Sequence, residues 1–190
     1  NALMNALDGI RVLDLSRVLA GPWSTQILAD LGADVVKVES LEGDDSRAWP
    51  PLIDGLSLTH RHMGAGKRGL ALDLKMPEAV QVALDLIARC DVVLQSMRPG
   101  VADRLQVDAK RLQGINPRLV YASISGFGSE GPDRDRPAFD TVAQAASGFL
   151  RLLVNPEHPR VVGPAIADAM TGFYTALGIL AALNERHTTG

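Results

Sequence analysis

Apolar positions along the chain follow two alternating rhythms. Short runs rich in β-branched residues predict buried strands at residues 10–15, 34–39, 70–74, 91–95 and 119–125. Longer stretches with helical spacing predict helices at 21–31, 77–89, 101–105, 108–114, 140–153 and 168–186. Pro22 and Pro77 stand in first turns, and Gly32 closes the first helix. Across residues 40–69 the rhythm dissolves into Gly, Asp, Pro and His around Trp49. That segment reads as a long loop, and loops of such length in compact domains are usually functional.

Strand and helix alternate, which indicates an α/β fold: an open parallel sheet with helices on both faces. Val12, Leu13, Val35, Val36, Leu72, Val93 and Val120 are the expected core of the sheet. Ligands of such sheets bind beyond the carboxyl ends of the strands. Those ends carry Ser16-Arg17, Glu39-Ser40, Lys75, residues 96–100 and the glycine-rich turn 126–131.

Composition narrows the function classes. The chain has 190 residues, enough for one full core or most of a larger domain, and 46% of them are hydrophobic and 22% charged, a globular balance. With a net charge of −3 and no sustained basic stripe, neither nucleic acid nor an anionic membrane surface is an expected partner. Local bases at Lys67-Arg68 and between Arg98 and Arg104 still leave room for a phosphorylated ligand. A lone cysteine, Cys90, precludes an intrachain disulfide and fits a reducing, cytoplasmic setting. No basic segment followed by an apolar core marks a signal peptide at the N-terminus. Residues 165–183 approach membrane length, but Asp168 interrupts them, so a buried helix is expected. The opening Asn1-Ala2 suggests a tag or processing remnant, and the ending at Gly190 suggests a cut.

Asp168 is the first candidate for chemistry, because no other charged residue lies between Arg160 and Glu185. A carboxylate among apolar and small neighbours is costly to bury unless it is paired or used, and it can act as nucleophile or proton carrier. The alternative is that Asp168 caps the helix it opens. Gly126-Phe-Gly-Ser-Glu-Gly131 matches G-x-G-x-x-G, yet the polar segment Pro132 to Pro137 follows where a dinucleotide loop must open into a helix. We read it as a tight turn. His60 and His62 have no acidic or thiol companions nearby in sequence, so they read as solvated loop residues and no metal is expected. No Gly-x-Ser-x-Gly elbow supports a serine triad. Arg98 and Arg104 flank a Pro-Gly turn at a strand end, where they could hold phosphate or form surface ion pairs, for instance with Asp103.

Several segments taken in succession resemble a known family. Residues 7–22 (LDGIRVLDLSRVLAGP) and 31–39 (LGADVVKVE) are similar to the start of the class III coenzyme A transferases. This is the CaiB/BaiF-like family that includes formyl-CoA transferase and α-methylacyl-CoA racemase. Lys67 to Lys75 (KRGLALDLK), Met97-Arg-Pro-Gly100, Ser125-Gly-Phe-Gly128 and Asp168 with its helix fall in the family's order, so the likeness covers nearly the whole chain.

The resemblance implies a Rossmann-like large domain that binds coenzyme A or acyl-CoA, and a homodimer with interlocked chains. The family extends past the position of Gly190 into a small domain and back. Residues 1–190 are therefore expected to be the N-terminal part of the large domain, inactive without the remainder. The resemblance further implies that Asp168 is catalytic, that Val18, Leu19 and Ala20 run along the CoA, and that Leu72 and Lys75 face its nucleotide end. Ser96, Met97, Arg98 and Arg104 would stand beside that end, with Phe139 near the thioester. Departures from the family pattern occur at Leu19, where transferases of small diacids can have Gln, at Ser40, where Arg often stands, and at Ser96, where Asn is common. Racemases in the family pair their aspartate with a histidine that precedes an aspartate. The matching pair here is Phe139-Asp140, and phenylalanine carries no proton. The expected activity is CoA transfer between an acyl-CoA and a carboxylic acid, with a racemase-like enzyme or a non-catalytic CoA-binding fragment as alternatives.

Overall fold

The computed structural model describes residues 5–158, 160, 161 and 163–189. Five strands, β1 (Arg11–Asp14), β2 (Asp34–Glu39), β5 (Arg68–Ala71), β6 (Val92–Gln95) and β7 (Val120–Ser123), form one parallel sheet in the order β5-β2-β1-β6-β7. The strand order reverses at β1, where Val12 lies level with Val35 on one side and Val92 on the other. In open α/β sheets a crevice forms at such a reversal.

Successive strand residues face opposite sides, so each strand feeds two cores. Val12, Val35 and Val92 pack with Leu28 of α1 (Ala20–Asp30) and with Ala176, Ile179 and Leu183 of α8 (Ile166–Thr189). Leu13 and Val93 face the other way. They pack with Leu84 and Ile87 of α3 (Pro77–Ile87), Ala102 of α4 (Val101–Arg104) and Leu112 of α5 (Ala109–Ile115). Helices therefore cover both faces. Val36, Leu72 and Val120 pack against the same cores but stay partly accessible.

The structure revises some expected bounds. The strand expected at 70–74 is β5, displaced towards the N-terminus, because Leu72 to Leu74 leave the ladder for the cavity described below. Residues 40–69 are built rather than loose. They contain a 3-10 turn (Asp45–Ala48), the hairpin β3 (Leu52–Ile53) with β4 (Leu56–Ser57), and α2 (Leu58–Gly64), whose first turn is capped by the Ser57 hydroxyl. Short polar-capped elements carry too little apolar periodicity to be read from sequence. The helix expected at 140–153 breaks into α6 (Asp140–Ala146) and α7 (Leu150–Leu153), since Gly148 adopts φ +80° between them.

Helix α8 is long and apolar enough to cross a membrane by length and composition alone. One face is buried, whereas Met170, Phe173, Tyr174 and Leu177 are exposed, so the expectation of a buried helix holds for one face only. Contact with α1 is closest at Gly172, where an added Cβ would lie 2.5 Å from the Ala20 carbonyl oxygen and 2.8 Å from Trp23 Cδ1. A backbone oxygen cannot swing aside. Gly172→Ala is therefore expected to lower stability by about 1–3 kcal/mol, the usual range for overpacking. An unchanged chemical-denaturation midpoint would contradict this close approach.

Candidate active site

Beyond the carboxyl ends of β1, β2, β5 and β6 lies a cavity of about 730 Å³. Leu72, Lys75, Met97 and Arg104 line it, together with Leu15, Ser16, Arg17 and the turn from Ser40 to Asp45. Four of the expected ligand residues thus line one cavity, Leu72 and Lys75 from beyond β5 and Met97 and Arg104 from beyond β6. Ser96 borders the same corner, where its hydroxyl accepts the Arg17 N–H at 3.0 Å. Arg98 is exposed and is not part of the cavity wall. Lys75, Arg98 and Arg104 join no ion pair among the described residues, so the surface pairing considered for the two arginines is not formed.

Val18, Leu19 and Ala20 follow β1 and lead into α1. Gly21 permits this turn, because a Cβ there would overlap the Ser16 side chain. Beneath it sits a buried polar network that the sequence did not announce. Asp14, wholly inaccessible, accepts the Ser16 N–H and the hydroxyls of Ser16 and Thr25. Lys67, with a side chain 2% exposed, lies 3.4 Å from Asp14 and donates to Thr25 Oγ1 at 2.7 Å and to the Pro22 carbonyl at 2.8 Å. Burial pulls the Lys67 ammonium below its ordinary value, with the Asp14 carboxylate opposing that shift. Arg68 forms a forked pair with Asp34 at 2.6 and 3.0 Å. Lys67 and Arg68 are thus both engaged with carboxylates of the fold, Lys67 with Asp14 and Arg68 with Asp34.

A second network fastens the segment after β2. Glu39 holds Arg47 through two hydrogen bonds, at 2.7 and 3.1 Å. Asp44 caps the 3-10 turn through the Ser46 N–H, and Ser46 Oγ meets His60 Nδ1 at 3.0 Å. Although burial of Glu39 opposes ionisation, Arg47 and the Asp44 N–H bring its carboxyl below the usual range. Burial lowers His60, assisted by the Arg47 charge. His60 is thus half-buried on α2 rather than a solvated loop residue, and His62 stacks on Trp23 at 5.7 Å between ring centroids. Cys90 is half-buried, and burial pushes its thiol up to about 11, which leaves it unreactive at neutral pH.

Asp168 stands in the first turn of α8, one helical turn before Gly172. Being four residues apart, the two share a helix face, and it is Gly172 that approaches Ala20; Asp168, like Val18, Leu19 and Ala20, does not line the 730 Å³ cavity. The helix is not capped by Asp168. Asp140 Oδ1 accepts the N–H groups of Ala167 at 2.8 Å and of Asp168 at 3.2 Å. Gln144 Nε2 in turn holds Asp140 Oδ2 at 2.6 Å. Burial raises the Asp168 carboxyl, and the neighbouring Asp140 charge adds to the shift. Phe139, the residue before Asp140, is 65% exposed and lies outside the cavity wall. The turn 126–131 opens into no helix, and a Cβ on Gly126 would overlap Ala138. Gly126 thus serves a close crossing, whereas Gly128 and Gly131 supply left-handed turn positions with φ of +86° and +90°.

Comparison with known proteins adds an independent line. The sequence profile of CoA-transferase family III matches residues 7–190. The succinate–glutarate CoA-transferase of Agrobacterium fabrum is 44% identical, an alignment covering 97% of this chain and 48% of that protein. The acetyl-CoA:oxalate CoA-transferase of Acetobacter aceti is 41% identical over 96% of this chain and 48% of its own. A crystal structure of a CaiB/BaiF family protein from Brucella suis superposes with a TM-score of 0.92 at 40% identity, covering 98% of this chain and 51% of that one. The chain spans about half the length of the curated relatives it matches.

Proposed function

The chain belongs to CoA-transferase family III, and we propose that the whole protein moves coenzyme A from an acyl-CoA to a free carboxylic acid through a covalent intermediate on Asp168. One observation carries the choice of nucleophile. Asp168 is a partly buried carboxylate relieved of helix capping by Asp140, with no hydrogen bond to its oxygens among the described residues. A raised carboxyl is more basic when ionised, and a more basic oxygen attacks a thioester more readily.

The chemistry runs in balanced steps. An Asp168 oxygen attacks the acyl-CoA carbonyl and expels CoA thiolate, leaving a mixed anhydride. The thiolate attacks the aspartyl carbonyl and releases the donor acid as its carboxylate, which leaves an aspartyl-CoA thioester. The acceptor carboxylate then expels the thiolate, and the thiolate attacks the acceptor's carbonyl, giving the new acyl-CoA and free Asp168. Splitting one hard exchange into easier ones is the gain from covalent catalysis. The positive end of α8 favours the ionised carboxylate. In this reading the phosphates of CoA lie towards Lys75 and Arg104 on the cavity wall, with Arg98 outside it. Val18, Leu19 and Ala20 run along the ligand towards Asp168, and Phe139 faces the thioester end. No metal takes part.

Phe139 in place of a second proton carrier argues against two-base racemisation. The exposed stripe of Met170, Phe173, Tyr174 and Leu177 supports a second copy, or the remainder of the protein, covering α8. The same reading places the protein in the cytoplasm and leaves residues 1–190 alone without turnover. Full-length protein incubated with acyl-CoA and separate carboxylic acids tests the proposal. New thioesters are expected. Exchange of the α-proton for deuterium without new thioesters would make it a racemase, and binding without either reaction a CoA carrier.

A further inference from the structure

Val18 adopts φ +73°, a left-handed conformation that a β-branched residue resists. It does so in the turn between β1 and α1, so something must hold it there. Its N–H points at both oxygens of Asp44, each at 3.2 Å. The Asp44 side chain is only 2% exposed and is itself fixed by the Ser46 N–H and hydroxyl, at 3.0 and 2.9 Å. Lys37 lies 3.4 Å from Asp44 and donates its remaining reach to the Ser16 carbonyl, two residues before Val18. Ser96 takes the N–H of the residue between them. Lys37 and Ser96 thus hold the two sides of the 16–17 peptide, and Asp44 holds the N–H of the next one.

A lysine among the valines of β2 is expensive to bury, as is its carboxylate partner. Packing does not require either group. Both aim at the backbone of one turn. Asp44 feels the Lys37 charge and the N–H groups of Ser46 and Val18, which together hold its carboxyl below the usual range despite burial. It stays a full acceptor for the strained peptide.

We propose that Asp44, backed by Lys37, is a positioning residue for acyl-CoA: it holds Val18 left-handed and so sets the turn 16–20 in the shape that receives the ligand. The inference rests on the CoA reading above, in which that turn runs along the bound molecule. Asp44 does not touch the reacting atoms. Its loss should reach binding first and the chemical step little.

The test uses the full-length protein, with calorimetric binding of free CoA and steady-state transfer measured side by side. Asp44→Asn is expected to raise the Kd for CoA and the KM for acyl-CoA at least about tenfold while kcat changes less than about threefold, the pattern of lost uniform binding. In a Val18→Gly background the left-handed turn no longer carries strain, so Asp44→Asn should have a clearly smaller effect there. Ser46→Ala removes one support of Asp44 without stranding a charge, and about a threefold rise in KM is expected. It carries the test should Asp44→Asn fail to fold. Unchanged CoA affinity in a folded Asp44→Asn or Ser46→Ala protein, a fall in kcat alone, or equal Asp44→Asn effects with and without Val18→Gly would each overturn the role. If the wild-type protein itself binds no CoA, the functional proposal fails instead.

Discussion

Asp168→Asn in the full-length protein is expected to reduce CoA transfer by at least about three orders of magnitude while the fold survives, because an amide cannot form the aspartyl intermediate. The expectation on the fold is specific. Asp140, and not Asp168, receives the first N–H groups of α8, so the substitution removes no cap. The pH dependence points the same way. Burial and Asp140 raise the folded-state value of Asp168 above its unfolded value. Such a group contributes stability below the unfolded value, and that contribution is lost as pH rises through the folded one. At neutral pH the ionised Asp168 therefore opposes folding, and the neutral amide should melt at the same temperature or higher. A drop in melting temperature with activity retained would reverse the assignment and return Asp168 to a structural role.

Lys67→Met is the substitution expected to cost most in stability, about 3–5 kcal/mol, the usual result of stranding one member of a buried ion pair. It leaves Asp14, wholly inaccessible, with hydrogen bonds from Ser16 and Thr25 but no counter-charge. It also removes the Lys67 hydrogen bonds to Thr25 Oγ1 and to the Pro22 carbonyl. Against a typical total of about 5–15 kcal/mol, such a loss is a large share of the stability of the protein. Adding Asp14→Asn should recover part of the stability by removing the uncompensated charge. Denaturant titration of the single and double variants checks both statements. A cost below about 1 kcal/mol for Lys67→Met would show the pair to be dispensable.

Much of the architecture was legible because buried parallel strands are written as continuous apolar runs. The runs around Val12, Val35 and Val93 left little choice of element, and strict alternation then assigned helices to both faces. The succession of motifs carried the family. Polar chemistry buried for the sake of one turn was not legible. Nothing local marks Lys37 in the run Val-Val-Lys-Val, or Asp44 in Gly-Asp-Asp, as a buried pair. Their pairing depends on where residues 40–69 fold back, which no local period encodes. The capping of α8 was hidden for the same reason, since Asp140 lies 28 residues before Asp168 in the chain. Arg98 and Arg104 are six residues apart in sequence, yet only Arg104, carried on α4, lines the cavity.

The most direct test of the account is to find which carboxyl group of the protein becomes activated. Full-length protein mixed with acyl-CoA, trapped with hydroxylamine and digested, should yield the hydroxamate on the peptide containing Asp168 when analysed by mass spectrometry, and Asp168→Asn should yield none. An adduct mapped to any other residue, or new thioesters formed by Asp168→Asn at most of the wild-type rate, would contradict a covalent intermediate on Asp168.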